Sequence, residues 1–254
     1  MTPQRAIFPL REHWRHLLLA MVVLASFGLV LLLPPLAQDP DYHDFADARA
    51  LFGMPNFFNV ASNVFFLFVG IAGLRSCLRA DLGRARRAWV TFFAGVALVS
   101  VGSAYYHWSP NDATLIWDRL PITVAFMGLF SALLGEYAGG RLGELVLAPA
   151  ALLGVASVLW WSLFDDLRPY VWIQLMPLLA IPTVMVLFPA RYSHRWLLVA
   201  ALGAYALAKL AELDDRAVFE WSRGWIGGHG LKHVLAALGC FGVLEMLRRR
   251  RPLP

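Results

Sequence analysis

The feature that most constrains this chain is a series of eight apolar runs, at residues 16–36, 57–76, 88–107, 117–136, 144–164, 170–189, 195–213 and 228–247. Each comes close to the roughly 20 residues an α-helix needs to cross the hydrocarbon of a bilayer. Charged residues are only 15% of the 254 positions and mean hydropathy is +0.60, where a soluble domain carries about 25% charge. The fold class is therefore all-α, a polytopic transmembrane helix bundle. The connections are short, so residues 1–254 read as one membrane domain, with 1–38 an extra N-terminal helix and 40–247 the core.

The first run follows Arg5, Arg11 and Arg15, a pattern that a signal peptide shares. The run is long for that purpose and ends Leu33-Pro34-Pro35-Leu36-Ala37, a poor cleavage pattern, so an uncleaved helix is expected. The other basic clusters fall in every second connection: Arg75 to Arg87, then Arg141, Arg191 and Arg195, and finally Arg248 to Arg251. Most acids, from Asp39 to Asp47 and then Asp112, Asp165, Asp166, Asp214, Asp215 and Glu220, occupy the alternate connections. The positive-inside rule then places both termini in the cytoplasm. The same distribution accounts for the net charge of +5 without a nucleic-acid partner. Cys77 and Cys240 fall on separate helices and predict neither a disulfide nor a thiolate metal site. Arginine outnumbers lysine, which is found only at Lys209 and Lys232, and this bias points to a bacterial source and its inner membrane.

Ionisable residues within membrane spans mark functional sites by default. Three clusters stand out: Gly102-Ser103-Ala104-Tyr105-Tyr106-His107 ending the third span, Trp117-Asp118-Arg119-Leu120-Pro121 opening the fourth, and His229-Gly230-Leu231-Lys232-His233 opening the eighth. Residues four apart share a helix face, so His229 and His233 can bind one metal, and Ser103 and His107 have the same spacing. With alternating spans, all five residues lie at one depth, toward the non-cytoplasmic side. Three neutral imidazoles and a water suit an open zinc site, the arrangement that lowers the pKa of the water toward about 7. Asp118 is then placed to act as general base, and Ser103 to donate a hydrogen bond to an oxyanion. A site in the outer leaflet selects a lipid substrate with a carbonyl to hydrolyse.

Taken singly, each residue has a plainer reading. A histidine at a helix end is usually interfacial, an i,i+4 histidine pair also serves haem or structural roles, Asp118 could favour a helix start, and Ser103 could be a packing residue. Their convergence at one depth favours the metal site. His13, His16 and His194 fall on the cytoplasmic side and read as solvated or interfacial. Lys209 and Glu212, three apart, read first as an intrahelical pair and second as a headgroup contact.

The ordered set Ser103-x-x-x-His107, Asp118-Arg-Leu-Pro and His229-Gly-Leu-Lys-His233 resembles the alkaline ceramidase family, seven-helix hydrolases of a superfamily that includes the progestin and adiponectin receptors. Asn56-Phe-Phe-Asn59-Val-Ala-Ser62-Asn63 is similar to the family's opening of its first core helix. The resemblance implies zinc on His107, His229 and His233, proton transfer by Asp118, oxyanion assistance from Ser103, and hydrolysis of the amide of ceramide. A bacterial source widens the substrate to another N-acyl lipid. Animal members of the family bind calcium just before this helix. Here the matching segment offers Asp41, Asp44, Asp47 and the carbonyl of Asn56, which suit a hard cation and equally suit helix capping or loop orientation.

The competing readings are an esterase or lipase acting on a glycerolipid or lipid anchor, and a non-enzymatic receptor with structural zinc. Asp118 and Ser103 favour an enzyme, because they add the groups that hydrolysis needs. A transporter fits less well, since no broken mid-membrane helix is evident and the polar residues cluster at one side.

Overall fold

The computed structural model describes residues 10–253, so Arg5 lies outside the described residues. Ten α-helices follow one another: α1 (Leu10–Leu31), α2 (Phe57–Ala61), α3 (Val64–Arg79), α4 (Arg86–Trp108), α5 (Asp112–Tyr137), α6 (Gly140–Phe164), α7 (Arg168–Leu187), α8 (Trp196–Leu213), α9 (Asp215–Trp221) and α10 (Gly228–Arg249). With α2 and α3 counted as one span, eight are long and apolar enough to cross a membrane. No strand forms among the described residues. Large apolar side chains such as Leu24, Phe68, Leu152 and Val199 face outward, as a lipid-facing surface requires.

The bundle is built around α4 and α5, which pack closely along their lengths. Helix α3 joins α4 to α10, α8 covers α10, and α6 and α7 close the other side of α5. Helix α1 docks on α7 at the periphery.

Three boundaries differ from the hydropathy reading. The first helix stops at Leu31 and not at residue 36, because Pro34 and Pro35 disfavour helical backbone in the residues before them. Helix α5 begins five residues earlier than expected, since Asn111 and Thr114 cap it reciprocally. The span that starts at Phe57 is broken at Ser62 and Asn63. There Asn63 Nδ2 donates to the carbonyl of Asn59 at 2.8 Å, a side-chain bond that competes with the helical ladder. The break lies near the end of the span, outside the midplane where a transporter's would fall.

Pro121 lies inside α5 and has no N–H to offer the carbonyl of Trp117 four residues earlier. That carbonyl faces α4 at Gly102, where a Cβ would collide with it. The glycine thus lets α4 and α5 meet where Ser103 and Asp118 must face each other.

Candidate metal centre

His107 leaves the end of α4, while His229 and His233 leave the first two turns of α10. All three are buried, and one ligand nitrogen from each lies within 4.8 Å of the others. Their ring centroids form a nearly equilateral triangle, 4.8 Å (His107–His229), 4.9 Å (His107–His233) and 5.1 Å (His229–His233). Among the described residues this is the one group of three or more His, Cys, Asp or Glu that could hold a metal ion.

The hydrogen bonds define which nitrogens are available. His107 is 0% exposed, yet neither ring nitrogen has a partner. A buried polar atom without a partner is costly, and a metal relieves that cost. The Ser62 hydroxyl lies 2.8 Å from Nδ1 of His233 and donates its own proton to the carbonyl of Asn59. Having one proton to give, Ser62 accepts from Nδ1–H, which leaves Nε2 of His233 with a free lone pair. His229 Nε2 lies 2.8 Å from the Lys232 ammonium, which Glu212 also holds at 2.9 Å. The donor set, three imidazoles with one fixed through its second nitrogen, fits zinc or another imidazole-seeking ion.

Ser103 and Asp118 are both buried, on the stretches of α4 and α5 that meet at Gly102 and Trp117. The two residues come together through the Gly102 contact described above. At the other side, Gly228 lies where a Cβ would strike the carbonyl of Ala211, so α10 begins hard against the end of α8. Asp215 uses this closeness: its Oδ1 accepts from the His229 backbone N–H and its Oδ2 from that of Ala46, both at 2.9 Å. One carboxylate therefore ties the start of α10 to the loop carrying Phe45. The Phe45 ring covers the cluster, 4.8 Å from His107 and 4.5 Å from His229 between centroids.

The acids before the first core helix do not converge. Asp44 pairs with Arg216 at 2.5 Å, and buried Asp47 is bidentate to Arg49 with both bonds at 2.8 Å. The backbone N–H of Asp41 donates to Asp39. Asn56 takes a left-handed backbone, and its amide donates to the carbonyl of His107 at 2.9 Å. Guanidinium groups thus meet Asp44 and Asp47, and among the described residues these acids do not form a group of three that could hold a metal ion. Glu212 is held by both Lys209 and Lys232, so the expected intrahelical pair is one arm of a bridge to α10. The Tyr42 hydroxyl donates to the same glutamate at 3.2 Å, its pKa raised well above the usual tyrosine value by burial and by that carboxylate.

Ser62, Asn59, Phe45 and Asp215 were not assigned roles from sequence. Their signal was weak: Ser62 and Asn59 stood within the recognised helix opening, but no spacing rule points from them to His233.

The fold and this cluster define a class, a polytopic helical membrane protein with three buried histidines poised for a metal. More particularly, a family model described as ceramidase matches residues 53–249, and the chain belongs to the ceramidase family. The match begins ahead of α2 and ends with α10, so α1 precedes it. The family supports a membrane lipid amide hydrolase. No curated protein matches the chain.

Proposed function

We propose that the protein is a zinc-dependent hydrolase cleaving the amide of ceramide or a related N-acyl lipid to a free amine and a fatty acid. The observation that carries this reading is the cluster of three buried histidines, with Ser103 and Asp118 also buried where α4, the helix that ends in His107, meets α5. A purely structural zinc site would need neither group. Zinc held by three imidazoles supplies a Lewis acid that acidifies water and polarises a carbonyl.

The chain's own groups supply the rest. His107, His229 and His233 hold the ion, and Ser62 fixes the His233 ring. Asp118 takes the proton from the attacking water as the new C–O bond forms. It returns that proton to the amide nitrogen as the C–N bond breaks, so the amine leaves neutral. The Ser103 hydroxyl turns from Asp118 toward the carbonyl oxygen as negative charge develops there. Phe45 limits bulk water at the cluster.

The arginine-rich ends of the spans lie opposite the histidines along the helices: Arg86 and Arg87 start α4 where His107 ends it, and Arg248 and Arg249 end α10 where His229 starts it. By the positive-inside rule the site opens on the non-cytoplasmic face, with both termini cytoplasmic.

The test is fatty-acid release from N-acyl lipids by the purified protein and its His229→Ala variant, with metal content measured on both. Turnover by the native protein alone, with metal lost from the variant, is the expected result. Bound metal with ester cleavage only would replace the amidase by an esterase. Bound metal with no turnover of amides or esters would favour a receptor.

A further inference from the structure

Arg119 lies in α5 directly after Asp118 and is 4% exposed, yet it makes no ion pair with any described carboxylate. Partly buried cations of the bundle do: Arg250 meets Glu136 and Lys232 meets Glu212. Instead, the Arg119 guanidinium is caged by aromatic rings, with Cζ 4.0 Å from the Trp161 centroid, 4.7 Å from Tyr170 and 5.6 Å from Tyr42. Nη2 donates to the Gln38 side-chain oxygen at 2.7 Å, and Nη1 is buried without a partner. Aromatic faces hold a cation in place but leave its N–H donors unsatisfied. A buried arginine with an open donor and an uncharged acceptor beside it is arranged to meet an anion.

A short path links this group to the metal centre. The Tyr42 ring packs on Arg119 and its hydroxyl reaches Glu212, which holds Lys232, which in turn contacts His229. Lys209 meets the same glutamate from within α8.

Building on the amidase reading above, we infer that Arg119 binds an oxyanion on the substrate headgroup, so that the enzyme prefers N-acyl lipids bearing a carboxylate, sulfonate or phosphate near the amide. Gln38 occupies part of that position in the free protein. It belongs to the linker after α1, which is pinned by Asp165 to the Gln38 N–H at 2.9 Å and by Leu167 N–H to the Leu36 carbonyl at 2.7 Å. The segment ahead of the matched family residues thereby contributes to the headgroup site.

The experiment measures equilibrium binding of N-palmitoylglycine and N-palmitoylethanolamine, which share a chain and an amide, to the full chain in phosphatidylcholine nanodiscs. Native protein should bind the carboxylate lipid about tenfold more tightly. Arg119→Gln should bring the ratio near one. Gln38→Glu, on a partly exposed linker and so safe for folding, should do the same by filling the site with its own carboxylate. A native ratio near one, or an unchanged ratio in Gln38→Glu, overturns the inference. Acetate serves as the free-anion control: displacement of N-palmitoylglycine by acetate as effective as that by the uncharged lipid would assign the site to small anions and overturn the headgroup assignment. Fatty-acid release is followed in parallel. The stated binding preference with neither lipid hydrolysed upholds the anion site and sinks the amidase, whereas hydrolysis of both with equal binding does the reverse.

Discussion

The hydroxyl of Ser62 and Nδ1 of His233 lie 2.8 Å apart, across the break that separates α2 from α3. Outer partners of this kind fix the tautomer and orientation of a metal-ligating imidazole, and their loss typically lowers metal affinity about 10–100-fold. Ser62→Ala should therefore retain the fold but release zinc to a competing chelator at correspondingly lower chelator concentration. Wild-type affinity in this variant would show that the His233 ring is oriented by packing alone.

Asp118→Asn preserves the size of the side chain but removes its capacity to carry a proton. Turnover should fall about 10²–10⁴-fold with metal content unchanged. Ser103→Ala should cost about 10²-fold. Single-turnover rates with metal analysis on the same samples make the check, and loss of metal in Asp118→Asn would reassign the aspartate as a ligand or its support.

The loop over the cluster is fastened by ion pairs. Chelation of calcium should leave the thermal unfolding midpoint unchanged, because Arg49 and Arg216 already meet Asp47 and Asp44. Arg49→Ala should lower stability by about 1–2 kcal/mol, less than for a fully buried pair because the arginine is half exposed. A midpoint that rises with added calcium would restore a cation to this segment.

Asp166 accepts hydrogen bonds from the Arg168 guanidinium and from the backbone N–H groups of Leu36 and Arg168. The guanidinium, chiefly, holds this carboxyl well below the usual carboxylate range. A depressed folded-state pKa gives stability that is complete above the unfolded value of about 3.9 and is lost as pH falls through that value toward the folded pKa. Unfolding midpoints should fall more steeply between about pH 5 and 2 in the native protein than in Asp166→Asn. Parallel curves would mean the ion pair adds nothing to folding.

The three clustered histidines were legible because their placement depends on local rules. His229 and His233 share a face by helix periodicity, and the depth of His107 follows from its position at the end of a span. Lys232 stood in the same motif, but its contact with Glu212 could not be read from spacing, since Glu212 belongs to another helix. The acids from Asp41 to Asp47 illustrate the opposite case. As a string they suit calcium, but the pairing of Asp44 with Arg216, on a distant helix, could not be read from it.

The sequence by itself determined the number of spans, the depth of each polar residue and the i,i+4 pairs, because the thickness of hydrocarbon and the pitch of the α-helix translate directly into residue counts. Tertiary structure alone decided which faces meet. Helix α5 is apolar almost all round, so its sequence carries no azimuthal signal. That Asp118 faces Ser103 while Arg119 turns into an aromatic cage follows from the closeness of α4 at Gly102 and the packing of α6 and α7 on the other side of α5.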